Sequence, residues 1–427
     1  MRRPGRRVLV AAGAAAVVVV GGLGVAGLAV RDGWFDAGSI EGGTSGFVPQ
    51  QAPPEDAGTG SWPEFGFDAG RSRANPELDL RPPYRRAWRI DGGSLLEFPP
   101  VIGDGRVIVG TNRGLGIAVD LATGRVLWRT RLGGTVASSP ALTGIRPGAP
   151  GPAAKPALAL FTTTRGDLLA LDPATGAVRW RKRFGSAIES SPLVIGDGVY
   201  IGTLDGRVMR ISLQTRRIVW TARAKGDVKS SLAESGDTVV VGDYGGTIAA
   251  YAKRDGREVW RTTSPGPRFR GAGRFYAGPA VAYGRVYLGN VNGRMLALSA
   301  RDGSVAWVRV VGDFIYSSAA VSRRTVFVGS YDRKLYALDA VTGRVRWTHD
   351  AGERISGAPS VIGDVVWYST LAKDPARGRT VGLDVRTGDV VFTHPEGRYS
   401  PAVGANGTLV LTGVRTLTAF TPRKAAR

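Results

Sequence analysis

The sequence has no cysteine, two histidines and three methionines in 427 residues. Without cysteine there is no disulfide, thiolate metal site, C-x-x-C-H haem attachment, cysteine nucleophile or lipid-bearing terminal cysteine. With only His349 and His394, a histidine-rich metal centre or a Ser-His-Asp triad has little to draw on. Acidic charge is also short: 35 Asp and Glu stand against 57 Lys and Arg, a net +22. Such an excess favours anionic partners, lipid headgroups or cell-envelope polymers before nucleic acid. Basic residues spread singly along a chain also serve solubility. Glycine (62) and proline (25) are abundant, and 43% hydrophobic residues suffice for a sizeable core rich in turns.

One long apolar run exists. Val8 to Val30 carries no charge and follows Arg2, Arg3, Arg6 and Arg7. A helix of that length crosses a hydrocarbon core of about 30 Å. The positive-inside bias then leaves residues 1–7 in the cytoplasm and everything after residue 30 outside. The expectation is a single-pass signal anchor in the cell membrane. A secreted chain follows instead if Gly27-Leu28-Ala29 is cleaved. Gly22-Leu23-Gly24-Val25-Ala26-Gly27 matches G-x-G-x-x-G, but it lies inside this run instead of between a strand and a helix, so it carries no dinucleotide site. Residues 31–60 lack periodicity and read as a flexible linker.

Beyond residue 60 the chain repeats. Trp88, Trp128, Trp180, Trp220, Trp260, Trp307 and Trp347 recur, mostly 40 residues apart, and Phe392 continues the series. Four residues before each marker from Trp128 onward stands Gly124, Gly176, Arg216, Gly256, Gly303, Gly343 or Gly388. A second series, Pro100, Pro140, Pro192, Leu232, Pro279, Ala319, Pro359 and Pro401, opens each unit. Every unit but the last reads as four short strands joined by Asp-Gly and Thr-Gly turns, the pattern of a propeller blade. The last unit, from Ser400, lacks its fourth strand, whereas Tyr84 to Arg89 is a fourth strand without the first three. The two halves predict an all-β, eight-bladed propeller of four-stranded antiparallel blades over 61–422, closed by an N-terminal strand. A transmembrane helix precedes it, and a basic tail follows at 423–427. The Trp markers and Phe392 are expected to dock each blade on its neighbour's turn.

Ala170 to Trp180 and Ala337 to Trp347, both A-L-D-x-x-T-G-x-V-x-W, resemble the repeat of the pyrroloquinoline-quinone (PQQ)-like propeller family. The start Trp62-Pro63-Glu64-Phe65, with Asp68, resembles the opening of that domain. The resemblance implies one of two roles. The BamB-like branch is a non-catalytic scaffold. The alternative is a PQQ-dependent dehydrogenase holding PQQ and Ca²⁺ at the channel mouth under an adjacent-Cys disulfide, which a cysteine-free chain cannot form. The reading favoured here is a membrane-anchored extracytoplasmic binding or scaffold module for a protein, envelope polymer or ligand, with no cofactor and no metal.

In this family the stretch before each unit start lies near the channel mouth. Three residues before the markers stand Glu97, Ala137, Glu189, Lys229, Tyr276, Tyr316, Ser356 and Arg398. These differ from blade to blade, as a specific site requires. Arg268 and Arg270, in the basic insertion at 264–273, and Arg274 directly after it approach the same rim and suit an anion. No catalytic constellation emerges.

Overall fold

The computed structural model describes residues 39–49, 59–145, 147, 157–264, 273–399 and 401–423. The predicted membrane run at 8–30 lies outside them; among the described residues no helix is long and apolar enough to cross a membrane. The fold is all-β, with eight sheets arranged as eight four-stranded antiparallel blades, as the repeat predicts. Blades one to seven take strands from residues 101–131, 141–183, 193–223, 233–263, 280–310, 320–350 and 360–394 in turn. Blade eight combines 402–422 with Tyr84–Asp91, which pairs antiparallel with Thr416–Pro422. Ala74–Asn75 adds a short parallel fifth strand to blade seven.

Alternation along each strand sends successive side chains to opposite neighbours. In blade three, Val199, Ile201 and Met209 pack toward blade two, while Tyr200 and Val208 pack toward blade four. The core is therefore a ring of inter-blade layers. Each outer strand carries a β-bulge at the residue before its marker, Leu127 before Trp128 and Arg346 before Trp347 among them. A bulge shifts the alternation by one and re-aims the side chain that follows. The indoles so turned lie on the next blade's turn glycine, where a Cβ on Gly124 or Gly176 would sit 2.6 Å from the ring of Trp88 or Trp128. The Nε1–H groups of six of the seven donate to that blade, Trp88 to Leu121 O at 2.8 Å and Trp128 to Pro173 O at 2.9 Å among them. Arg216 takes the glycine's place after Trp180, with φ +60°. Phe392 packs instead among Tyr84, Trp367 and Phe420.

The linker expectation for 31–60 needs correction over 39–49. Ile40 bridges Val308 on the outer strand of blade five, and Phe47 stacks on Tyr283 at 5.1 Å between ring centres. A lack of periodicity hid this, because the stretch docks through backbone groups and one aromatic ring.

Candidate functional site

The channel has two unlike ends, and residues 59–75 make one of them. Apart from Ala74–Asn75, this segment belongs to no blade, yet it bonds to the innermost part of each in turn. Asn406 N–H of blade eight donates to Thr59 O at 2.7 Å, and Trp62 exchanges two 2.8 Å bonds with Ile102 of blade one. Leu142 N–H reaches Pro63 O at 2.8 Å, and Val194 N–H reaches Glu64 Oε2 at 3.5 Å. Glu234, Val281, Val321 and Val361 N–H then donate to Ala69, Gly70, Ser72 and Arg73 O at 2.7–2.8 Å. Extended inner strands leave these N–H groups unpaired, and the segment satisfies them.

Its side chains fill the channel with charge. Arg71, fully buried, donates to Glu64 Oε2 at 3.0 Å, Leu232 O at 3.0 Å, Pro192 O at 2.9 Å and Phe65 O. Arg73 donates to Arg71 O at 2.8 Å and Ala319 O at 3.1 Å, with its guanidinium 4.6 Å from the centre of the Phe65 ring. Burial pushes the Glu64 carboxyl up to about 7 against the pull of Arg71. Burial, joined by the neighbouring Arg71 charge, brings Arg73 down to about 9.

The other end is a cavity of about 320 Å³ with Phe65 among its lining residues. Its wall includes Glu97, Ala137, Glu189, Lys229, Tyr276, Tyr316 and Ser356, so the structure gathers seven of the eight positions read from the repeat. Arg398 stands beside the lining residue Tyr399, 5.3 Å from its ring centre. Arg274 is exposed, 6.0 Å from the ring of Tyr244. Arg268 and Arg270 lie outside the described residues.

A recurring backbone bond explains why these positions converge. In blades one to seven the residue two before the mouth position accepts from an N–H in the same blade's central turn, as in Asn112 to Leu95, Leu204 to Ala187, Tyr244 to Asp227 and Tyr331 to Phe314, each at 3.0 Å. The frame is constant, and the side chain it carries changes. The donor residues form a further series that the sequence reading did not use, and two of them, Tyr331 and Leu371, line the cavity.

The mouth is chemically lopsided. Blades four to six supply an aromatic arc: Tyr244–Tyr276, Tyr276–Tyr316 and Tyr316–Tyr331 lie 6.3, 5.3 and 4.9 Å apart. Glu97 and Glu189 come from the loops ahead of blades one and three. Glu189 lies 3.8 Å from Lys229, which in turn stands 4.9 Å from the ring centre of Tyr244. Burial raises the Glu97 carboxyl, and Glu189 adds to the rise while Arg398 opposes it. Tyr331 Oη meets Ser356 Oγ at 3.5 Å. Rings, hydroxyls and charges of both signs around one hollow suit binding. His349 and His394 lie elsewhere, against Tyr368 and Phe420 on outer strands.

Comparison with known proteins agrees with this architecture. BamB from Moraxella catarrhalis superposes with a TM-score of 0.62 at 19% identity, covering 79% of this chain and 100% of that one. A europium-containing methanol dehydrogenase gives 0.69 at 14% identity, over 85% and 98% of the two chains. The quinohemoprotein alcohol dehydrogenase from Comamonas testosteroni gives 0.69 at 14%, over 87% and 82%. At such identities the likeness is one of fold. No curated protein sequence matches the chain. A family model described as outer membrane protein assembly factor BamB matches residues 80–149, 144–314 and 312–426. Since these matches span nearly all of the propeller, the chain belongs to this PQQ-like, BamB-type propeller family.

Proposed function

We propose that the protein is a membrane-anchored extracytoplasmic propeller acting as a binding or scaffold module, with the channel mouth as its binding site. The observation that carries this is the cavity itself. It opens at one end of the channel, the 59–75 segment lies beneath it, and a repeated backbone frame presents side chains that vary around the ring. The apolar run at 8–30 supports the anchor, and the family supports the binding role. An anionic envelope component suits the basic rim, where Arg274 stands, and a protein suits the aromatic arc.

The dehydrogenase reading draws on the shared fold of the quinoproteins. The donor set speaks against it. Calcium takes six to eight oxygen ligands, carboxylates prominent among them. The cavity offers two carboxylates, one of them beside Lys229, and among the described residues no three His, Asp or Glu side chains gather. These residues do not fit a calcium-held quinone.

The test uses the full chain as bait in native membranes, beside a Glu189→Gln, Tyr316→Ala double variant. A partner retained by the parent and reduced at least about tenfold by the variant, a loss of about 1.4 kcal/mol, supports the mouth as the site. Equal retention contradicts it. Stoichiometric PQQ uptake with alcohol oxidation would replace the binding reading altogether.

A further inference from the structure

Residues 39–49 are fixed to the flank of the propeller by a built clamp. Ile40 and Val308 exchange backbone bonds of 2.7 and 2.9 Å, and Ser39 Oγ accepts from Val310 N–H at 3.0 Å. Gly42 N–H donates to Thr342 O at 3.0 Å, where a Cβ would lie 2.8 Å from the carbonyl oxygens of both Ala306 and Val341. Arg285, fully buried, donates to Ala340 O at 3.0 Å, to Val341 O at 2.6 Å and across to Gly43 O at 2.6 Å. Glu41 pairs with Arg344 at 2.8 Å. The covering is visible in the indoles: Trp307, beneath Gly42, is 0% exposed, whereas Trp88, Trp128, Trp220 and Trp260 keep 7–8%.

The clamp has a direction. The outer strand of blade five, Val305–Val310, runs toward the mouth, because the loop after it carries Tyr316 into the cavity wall. The bridge at Ile40 is antiparallel to that strand. Traced backward from Gly42, the chain therefore climbs from the 340–343 turn toward the mouth, and Ser39 stands at the mouthward end. Eight residues, 31–38, separate it from the apolar run ending at Val30. Fully extended they reach at most ~30 Å, where an undocked 31–58 would reach ~100 Å.

We infer that this short, mouthward tether holds the propeller mouth-first, with the rim at blades five and six docked on the outer surface of the bilayer. The inference rests on the reading of 8–30 as an anchor. The rim fits that surface. Phe314 sits in the loop directly after Val310 and is the one aromatic among the exposed large hydrophobic side chains of the described residues, at 47%. Tyr316 and Tyr331 flank it at 6.1 and 6.3 Å. The guanidinium of exposed Arg354 lies 5.3 Å from the ring centre of Tyr331. Aromatic rings with a neighbouring cation are what the headgroup region accommodates.

The absence of native cysteine makes the test clean. The full chain, as Phe314→Cys or as Arg386→Cys on the opposite face, carries a donor dye and is reconstituted in phosphatidylcholine–phosphatidylglycerol vesicles with acceptor dyes on the outer headgroups. Transfer several-fold stronger from position 314 than from 386 is expected. Gly42→Val, which the clamp cannot accept, should bring the ratio close to one. Equal or reversed transfer from a chain that resists alkaline carbonate extraction overturns the orientation alone. A ratio unchanged by Gly42→Val overturns the role of the clamp. A chain that washes off the membrane overturns the anchor reading and the orientation with it.

Discussion

The two ends of the channel are built by opposite rules. The floor is a single non-repeating segment, residues 59–75, which bonds to every blade and holds buried charges in place. The mouth uses positions that repeat eight times, seven of them held by a bond from the blade's own backbone and each free to carry a different side chain. A floor made this way is structural, because displacing any part leaves inner-strand N–H groups unpaired. A mouth made this way can change its chemistry without touching the fold.

Substitutions should separate the two ends. The largest effect is expected at the floor. Arg71→Leu removes a guanidinium bonded to four oxygens and leaves Glu64 buried without its partner. Breaking such a pair costs about 3–5 kcal/mol, measurable by urea unfolding of the propeller.

A smaller, pH-dependent effect belongs to Glu64. Its carboxyl lies at about 7 in the folded chain against 4.5 otherwise, because burial disfavours its charge. A raised pKa contributes stability that is complete below about 4.5 and lost as pH rises through about 7. Unfolding free energy should therefore fall across that window in the parent. Glu64→Gln should flatten the slope; an unchanged slope would place the titration elsewhere.

The smallest change in stability is expected at the mouth. Glu189 and Lys229 approach to 3.8 Å with both side chains about a quarter exposed, and pairs of this kind contribute about 0–1 kcal/mol. Glu189→Gln should leave the urea midpoint nearly unmoved while partner retention drops. A midpoint shift as large as that of Arg71→Leu would erase the distinction between the ends.

The fold was legible because burial between blades imposes a period on the sequence. Trp, Gly and Pro markers recur wherever an indole must rest on a turn, and the missing strand of the last unit pointed to Tyr84–Asp91. The mouth was half legible. Glu97, Glu189 and Tyr316 stand at a fixed offset from the unit starts, whereas Tyr331 and Leu371 belong to a second offset, in the central turns. The floor was nearly invisible. Trp62 to Phe65 looked like a domain start, but Arg71 and Arg73 bond mostly to backbone carbonyls of distant blades, and no local pattern announces such contacts. The clamp at 39–49 was hidden for the same reason, since Gly42 and Gly43 act there through their backbone.

Under the proposed function the mouth, and not the floor, is the binding end. Photo-crosslinking from a benzophenone amino acid at position 316 or at position 255, in full-length chains in native membranes, tests it most directly. Tyr316 lines the cavity, while Asp255 lies in an exposed turn at the opposite end of blade four. A discrete crosslinked product from 316 that is absent from 255 is predicted. Products from 255 alone, or equally from both, would contradict it.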